Sequence, residues 1–186
     1  MRTLSEVAAE ASTCRRCRLC EGRTNVVFGM GNPDADLMFV GEGPGAEEDR
    51  QGLPFVGRSG QLLDRLMRQE IGLTREHCYV ANVVRCRPPG NRDPLPDEIE
   101  ACSRYLEATL EIVAPRVVVT LGNFATRRLL GTSEGISRLR GRSYPFREGN
   151  LVPTYHPAAA LRGGGEILAE MRADFVRAKR ILAGAE

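Results

Sequence analysis

Six cysteines lie along the 186-residue chain in a pattern that suits metal ligation better than disulfide bonding. Cys14 and Cys17 form a C-x-x-C pair, and Cys86 and Cys102 follow much later with fifteen residues between them. Four thiolates can hold zinc or an iron–sulfur cluster, and spacing alone does not separate the two. Cys20 extends the first pair and could replace a neighbouring ligand. The alternative for the whole set is six unrelated buried thiols.

The stretch GEGPGAEEDRQGLPFVGRSG, residues 41–60, combines glycines, carboxylates and one phenylalanine directly after the apolar run DLMFVG. Glycines allow tight turns and a close approach of main chain to a ligand. Phe55 could offer a flat apolar face, and the acidic side chains could hold or polarise a water molecule. The alternatives are a core aromatic for Phe55 and a solvated acidic loop for Glu47 and Asp49.

Two further polar side chains follow apolar runs. Asn82 lies near the end of the run CYVANVV, and its amide could both donate to and accept from a ligand, or could cap a turn. His156, in YHPAAALR, is one of two histidines and is a candidate hydrogen-bond donor, with a capping role as the alternative. The other histidine, His77, precedes a strand pattern and is interpreted as a solvated turn residue.

The elements that must position these residues alternate between helical and strand patterns. Strand patterns cover residues 36–41, 78–84, 116–122 and 150–157, and helical patterns cover residues 5–12, 59–72, 97–114, 123–131 and 165–184. This alternation predicts an α/β fold with a parallel sheet and helices on both faces. Ligands of such sheets bind outside the carboxyl ends of the strands, where Phe55, Asn82 and His156 would meet. Cys78, which begins a strand pattern, is interpreted as a small core residue.

Length and composition are those of one ordinary soluble domain, with 42% hydrophobic and 27% charged residues and a net charge of +2. The absence of a long apolar run and of a signal-peptide core predicts a cytoplasmic or nucleoid-associated protein without a membrane partner. Lys179 is the single lysine among 26 basic residues. Arginine suits phosphate binding, although a genome rich in G and C is the preferred explanation of the bias.

Three segments together, residues 41–60, ANVVRCRPPGNRDP at 81–94 and YHPAAALR at 155–162, resemble the family 4 uracil-DNA glycosylases, the iron–sulfur enzymes of bacteria and archaea. The resemblance covers nearly the whole chain, and the three motifs occur in the family's order. It implies one domain over residues 1–186, folded as a three-layer α/β/α sandwich around a central four-stranded parallel sheet. It also implies a [4Fe-4S] cluster lobe, formed by the N-terminal C-x-x-C and the 86–102 segment, whose ligands would be Cys14, Cys17, Cys86 and Cys102.

The implied activity is removal of uracil from DNA by hydrolysis of its N-glycosidic bond, which leaves an abasic site and begins base excision repair. Phe55 would stack on the flipped base, Asn82 would read uracil, and His156 would donate a hydrogen bond to O2 of the leaving anion. The main chain at Gly41 and Gly43 would approach the base.

The same resemblance assigns water activation to Glu42 first and to Glu48 second, because the best-known members of the superfamily carry an aspartate where Gly43 stands. Leu161 and Arg162 would fill the gap that the flipped base leaves. Phosphate contacts would come from further arginines, namely Arg85, Arg87 and Arg92.

The implied partner is uracil-containing DNA, single- or double-stranded, bound by a monomer. Two other functions remain open from the sequence. One is an iron–sulfur DNA-binding module of the same superfamily that is catalytically silent or acts on a different base. The other is a zinc-ribbon interaction protein that uses the same cysteines.

Overall fold

A six-stranded mixed sheet forms the centre of the fold in a computed structural model that describes residues 1–185. The strands are β1 Met30–Gly31, β2 Leu37–Gly41, β3 Cys78–Asn82, β4 Val117–Leu121, β5 Tyr144–Phe146 and β6 Gly149–Thr154. Their order is β1-β3-β2-β4-β6-β5, in which β3, β2, β4 and β6 run parallel and the two edge strands are antiparallel. The predicted four-stranded parallel sheet is therefore confirmed as the centre of a larger sheet. The predicted single domain ends at Glu186, which lies outside the described residues.

Helices cover both faces of this sheet, as the alternating pattern predicts. They are α1 Leu4–Ser12, α2 Leu19–Gly22, α3 Ala46–Gln51, α4 Arg58–Leu66, α5 Pro96–Val113, α6 Asn123–Leu130, α7 Ile136–Leu139, α8 Pro157–Gly163 and α9 Gly165–Leu182. Within residues 1–185, none of the helices combines the length and the apolar character needed to cross a bilayer.

Strand β2 shows how the sheet separates two cores. Its side chains alternate, so that Leu37 and Phe39 face α4 and α9, whereas Met38 and Val40 face α5 and α6. The ring of Phe39 stacks on Phe175 of α9 with centroids 5.6 Å apart. All five residues of β2 are buried, which is typical of a central strand in a sheet covered on both faces.

The structure differs from the predicted elements mainly around the glycine-rich and proline-rich segments. Helix α3 lies inside the stretch predicted as a loop, and α8 replaces the predicted end of the last strand. Both helices are too short for a periodic apolar pattern, and α8 begins at Pro157, a residue favoured in a first helical turn. The helix predicted over residues 59–72 is α-helical only as far as Leu66, the end of α4. A π-helical turn, Met67–Ile71, follows it directly.

Candidate active site

The carboxyl ends of β2, β3 and β6 border a cavity of about 390 Å³. This is the edge at which parallel α/β sheets bind their ligands. Its walls are formed by residues from the three segments 41–60, 81–94 and 155–162, namely Glu42, Gly43, Pro44, Gly45, Glu48, Phe55, Ser59, Asn82, Pro88, Asn91, Arg92, Asp93, His156, Ala158 and Arg162. The cavity thus brings together the predicted carboxylates, stacking phenylalanine, asparagine and histidine.

Asn82, the last residue of β3, lines this cavity and has a buried, unpaired side-chain acceptor. The side chain is 1% exposed, and its Oδ1 has no hydrogen-bond partner. Leaving a buried acceptor unpaired costs about 1–3 kcal/mol, so a ligand donor at this position would recover that energy. Gly41, its neighbour across the β2–β3 pair, makes room: a Cβ there would lie 2.5 Å from Asn82 Oδ1 and would also overlap the Phe55 ring.

Phe55 forms a flat apolar wall of the cavity. Its ring is 5% exposed and belongs to the core cluster on one side while it lines the cavity on the other. The ring centroid lies 5.8 Å from that of His156, with 31° between the planes. The two alternatives for Phe55, core aromatic and ligand platform, therefore describe opposite faces of one ring.

His156 is held by the start of α8, where it is the N-cap residue. Its Nδ1 accepts the hydrogen bond of the Ala158 backbone N–H at 3.1 Å. Because Nδ1 is an acceptor, the neutral ring carries its proton on Nε2, which remains available as a donor. Burial, with a further contribution from Arg162, lowers the pKa of His156 to about 4, so the ring is neutral near pH 7.

Two carboxyl groups of the glycine-rich stretch face the cavity. Burial, and secondarily the charge of Asp93, raises the pKa of Glu42 to about 7, while Arg162 partly opposes this shift. Burial also raises the pKa of Glu48 above its usual value. A carboxyl whose pKa lies near neutrality is suited to accept a proton from water.

The other two carboxylates of the stretch point elsewhere. Glu47 is exposed and forms an ion pair with Arg50 at 2.7 Å. Asp49 is buried and accepts hydrogen bonds from the backbone N–H groups of Thr24 and Asn25 at 2.9 and 3.2 Å. The solvated-loop alternative therefore describes Glu47, whereas Asp49 anchors a neighbouring turn.

The prediction that Arg85 contacts DNA phosphate is wrong in this structure. The side chain is 1% exposed, and its guanidinium donates to the carbonyl oxygen of Phe28 and, at 3.0 Å, to Thr109 Oγ1. It also lies over the Phe28 ring, 4.9 Å from the centroid. Arg85 therefore points into the protein from the end of the β3 segment, away from solvent.

The remaining DNA-contact candidates are exposed or partly exposed near the cavity. Leu161 is 42% exposed on α8, and Arg162 beside it lines the cavity. Arg87 lies outside the wall and donates to Asn91 Oδ1 at 2.7 Å. Arg92 lines the wall and is held by Glu98, a fully buried carboxylate that accepts from both of its terminal nitrogens at 2.9 and 2.6 Å.

Glu98 and several wall residues, among them Pro88 and Asp93, are not among the candidates that the sequence indicates. The location of PPGNRDP directly after a strand was the available signal for the wall residues. Glu98, the buried partner of Arg92, has no such signal in the sequence, because its burial depends on how α5 packs against the rest of the protein.

Five cysteines surround a second, much smaller cavity between α1, α2 and α5. They are Cys14, Cys17, Cys20, Cys86 and Cys102. Burial raises the pKa of Cys17 and Cys102, and it raises the pKa of Cys86 to about 11. Cys78 is fully buried in β3 and absent from this cavity, as its interpretation as a core residue predicts.

The donor set of this cavity fits an iron–sulfur cluster. Positive and N–H donors face the sulfurs: Arg23 Nη1 lies 3.6 Å from Cys86 Sγ, and the Arg85 backbone N–H donates to Cys102 Sγ at 3.3 Å. Such donors stabilise the negative charge of a cluster's sulfurs. Within residues 1–185, no three His, Cys, Asp or Glu side chains are close enough to hold a single metal ion.

Known proteins match this chain over most of its length. The family model described as the Uracil DNA glycosylase superfamily matches residues 28–180. A type-4 uracil-DNA glycosylase of Sulfurisphaera tokodaii is 44% identical over 169 residues, which are 87% of this chain and 77% of the relative. A type-4 uracil-DNA glycosylase of Thermotoga maritima is 47% identical over 162 residues, 86% and 84% of the two chains.

A more distant relative helps to place the chain among the types. A type-5 uracil-DNA glycosylase of Thermus thermophilus is 32% identical over 182 residues, which are 85% of this chain and 80% of the relative. Identity to the type-4 proteins is higher, in agreement with the resemblance seen in the sequence. The chain belongs to the uracil-DNA glycosylase superfamily and, within it, to the type-4 uracil-DNA glycosylases.

Proposed function

We propose that this enzyme excises uracil from DNA with the side chains of the 390 Å³ cavity, leaving an abasic site for base excision repair. One observation carries the assignment of the site: the buried, unpaired Oδ1 of Asn82, beside the ring of Phe55 and in the same cavity as His156. A base that inserts against Phe55 brings its polar edge to Asn82.

Asn82 would distinguish uracil from cytosine by hydrogen-bond pattern. Its Oδ1 accepts from uracil N3–H, and its side-chain N–H donates to uracil O4. Cytosine has an acceptor at N3 and a donor at position 4, so both contacts would become repulsive. The buried asparagine would then remain unpaired, which is the source of discrimination against the wrong base.

His156 would stabilise the leaving group. When the bond between C1′ and N1 breaks, its electron pair stays with the base, and negative charge develops on O2. The Nε2–H of His156 donates to that oxygen, while Nδ1 remains fixed by the Ala158 N–H. A preorganised donor of this kind contributes roughly 10²–10³ to the rate.

Glu42 would activate the attacking water. The water oxygen forms a bond with C1′ on the face opposite the departing base, and its proton passes to the carboxylate. A pKa of about 7 makes Glu42 a competent base at neutral pH. Glu48, in the same cavity, is the second candidate for this role.

DNA would enter across the rim of the cavity. Leu161, exposed on α8, would occupy the gap in the base stack, a known use of inserted apolar side chains. Arg162, Arg87 and Arg92 would position phosphates without reading sequence. The substrate would be single- or double-stranded DNA bound by a monomer, and action on DNA is our reason for proposing the cytoplasm as its location.

The cysteine cavity would hold a [4Fe-4S] cluster through Cys14, Cys17, Cys86 and Cys102. When bound, the cluster supplies iron–thiolate bonds that join the N-terminal segment to the segment that carries the cavity loop 87–93. Its role is structural, since the cysteine cavity and the active-site cavity share no wall residue.

The test combines two readings on one aerobically purified sample: visible absorbance of an iron–sulfur cluster, and alkali cleavage of a uracil-containing oligonucleotide after incubation. Brown protein with uracil-dependent cleavage is the expected result, and Asn82→Ala should remain brown while losing most of the cleavage. Brown wild-type protein without cleavage would instead favour a silent or different-base module. Colourless, inactive protein containing zinc would favour the zinc-ribbon alternative.

A further inference from the structure

Phe55 holds its ring at the cavity wall with an unusual backbone conformation. Its φ is 52°, in the left-handed region that bulky residues rarely adopt. Such a conformation persists only where the surroundings over-determine it, and it is often part of how a site is preorganised. The ring position that the proposed function requires therefore depends on whatever holds the backbone of Phe55.

Arg75 holds that backbone from outside the cavity. Its Nη1 donates to the carbonyl oxygen of Pro54 at 2.6 Å, and its Nη2 donates to the carbonyl oxygen of Phe55. Its Nε donates to Asp64 Oδ1 at 2.6 Å, which fixes the guanidinium plane on α4. The side chain of Arg75 is 17% exposed, so these contacts are largely shielded from water.

The local packing is built around this contact. Gly60 lies against the carbonyl of Phe55 so closely that a Cβ would overlap its oxygen. Arg75 itself is absent from the wall of the active-site cavity and lines a separate cavity of about 660 Å³ behind the loop. It therefore has no direct contact with a base in the proposed site and reaches the stacking wall through Pro54 and Phe55; its charge also acts on the Glu48 carboxyl, whose raised pKa it partly opposes.

We propose that Arg75 is a positioning residue for base binding: its guanidinium joins two consecutive carbonyls to Asp64 and so fixes the Phe55 ring as a rigid stacking wall. This inference rests on the proposed role of Phe55. The planar fork of arginine presents several donors in fixed directions, which an ammonium group does not reproduce. Without the fork the left-handed conformation relaxes, and the ring must be ordered each time a base enters.

The experiment is a double-mutant cycle with Arg75→Ala and Phe55→Ala. We expect each single variant to lower kcat/KM on a uracil-containing oligonucleotide by about tenfold to a hundredfold, the range set by base–aromatic stacking. Each should weaken inhibition by free uracil by a similar factor, a readout that a merely structural role would leave unchanged. In the double variant, Arg75→Ala should add less than about twofold to the effect of Phe55→Ala.

Three controls separate positioning from folding. Arg68→Ala removes an exposed arginine from the wall of the same 660 Å³ cavity and should leave both constants unchanged. Arg75→Lys keeps the charge beside Asp64, loses the fork and should give an intermediate loss; it also serves as the test variant if Arg75→Ala does not fold. Each protein is compared at equal folded concentration, measured by circular dichroism and thermal unfolding.

The outcomes are distinct. Unchanged inhibition by free uracil in Arg75→Ala, or full additivity with Phe55→Ala, overturns the positioning role and leaves the proposed function intact. Wild-type activity in Phe55→Ala overturns the proposed stacking role itself, and the inference on Arg75 falls with it. Loss in both single variants without additivity supports the inference.

Discussion

The active-site cavity and the cysteine cavity are built from neighbouring stretches of chain, yet they are prepared for their ligands in opposite ways. His156 is fixed by the Ala158 backbone N–H, Asn82 keeps an unpaired acceptor, and both residues line a cavity large enough for a ligand. The thiols instead surround very little space, and burial raises the pKa of Cys17, Cys86 and Cys102, which favours their neutral form until a metal displaces the protons. The active-site cavity is thus formed by the protein alone, whereas the cysteine cavity has the donors of a site for a bound group.

The largest effect should follow from removing a thiol that the cluster requires. We expect Cys86→Ser to lose most of the bound iron and, with it, cooperative folding and activity, because binding energy of such a site is also folding energy. Iron content and thermal unfolding measure this.

Cys20→Ser is the matched control for this change, since Cys20 lines the same cavity but is outside the predicted ligand set. It should keep its iron. Full iron content in Cys86→Ser would remove Cys86 from the set, and loss of iron in Cys20→Ser would add Cys20 to it.

Removing the donor of His156 should lower activity while leaving the fold intact. We expect His156→Ser to reduce the single-turnover rate by about 10²–10³. Serine retains a side-chain oxygen that can cap α8, so the helix start is preserved. Normal iron content and thermal stability, measured beside the rate, are part of the expected result. A rate within about threefold of wild type would show that the imidazole N–H of His156 is not needed.

Activity should depend on pH through Glu42. Because the base form is the deprotonated one, the single-turnover rate should rise as pH increases through about 7 and then level off. His156, with its pKa lowered to about 4, stays neutral throughout this range and adds no falling limb.

Glu42→Gln should lose about 10² in rate together with this rising limb, and rates measured from about pH 5 to about pH 9 would reveal it. Glu47→Gln, in the same stretch but exposed and outside the cavity, should retain the wild-type profile. If the limb persists in Glu42→Gln and disappears in Glu48→Gln, the base is Glu48.

The smallest effects on activity should come from two arginines, Arg162 at the active-site cavity and Arg85 at the cysteine cavity. Arg162→Ala should weaken DNA binding a few-fold and reduce the slope of log K against log salt by about one, as expected for one lost phosphate contact. Arg85→Leu should leave that slope unchanged and destabilise the fold by about 1–3 kcal/mol, because Thr109 and the Phe28 carbonyl lose their donor. Salt titrations of both variants would separate the roles. A reduced slope in Arg85→Leu would contradict its burial.

The sequence predicted the central sheet and the main cavity residues because both follow from local patterns. Asn82 and His156 are polar residues placed where strand patterns end, and such positions converge at one edge of a parallel sheet. The sequence could not predict in the same way that the Arg85 side chain points into the protein. Arg85 lies beyond Asn82, the last residue of β3 that pairs with β2, and the alternation of a strand no longer determines side-chain direction there.

Contacts between distant segments could not be predicted from the sequence either. The Arg75–Phe55 contact spans twenty residues and uses carbonyl oxygens, which every residue possesses. Glu98 looks like an ordinary acid in the first turn of a helix, and only packing shows that it is fully buried beneath Arg92. Periodicity and motif chemistry identify elements and candidate groups, whereas tertiary hydrogen bonds decide their orientation.

The two antiparallel edge strands affect how copies of the protein meet at high concentration. β1 has two residues and β5 three, so each outer edge offers few free N–H and C=O groups to the strand of another molecule. Pro145, in the middle of β5, has no N–H to offer at all. Short and proline-bearing edges are a natural protection against strand-to-strand aggregation. The apolar central strands, of five or six residues each, are thereby flanked on both sides by edges that offer little to pair with.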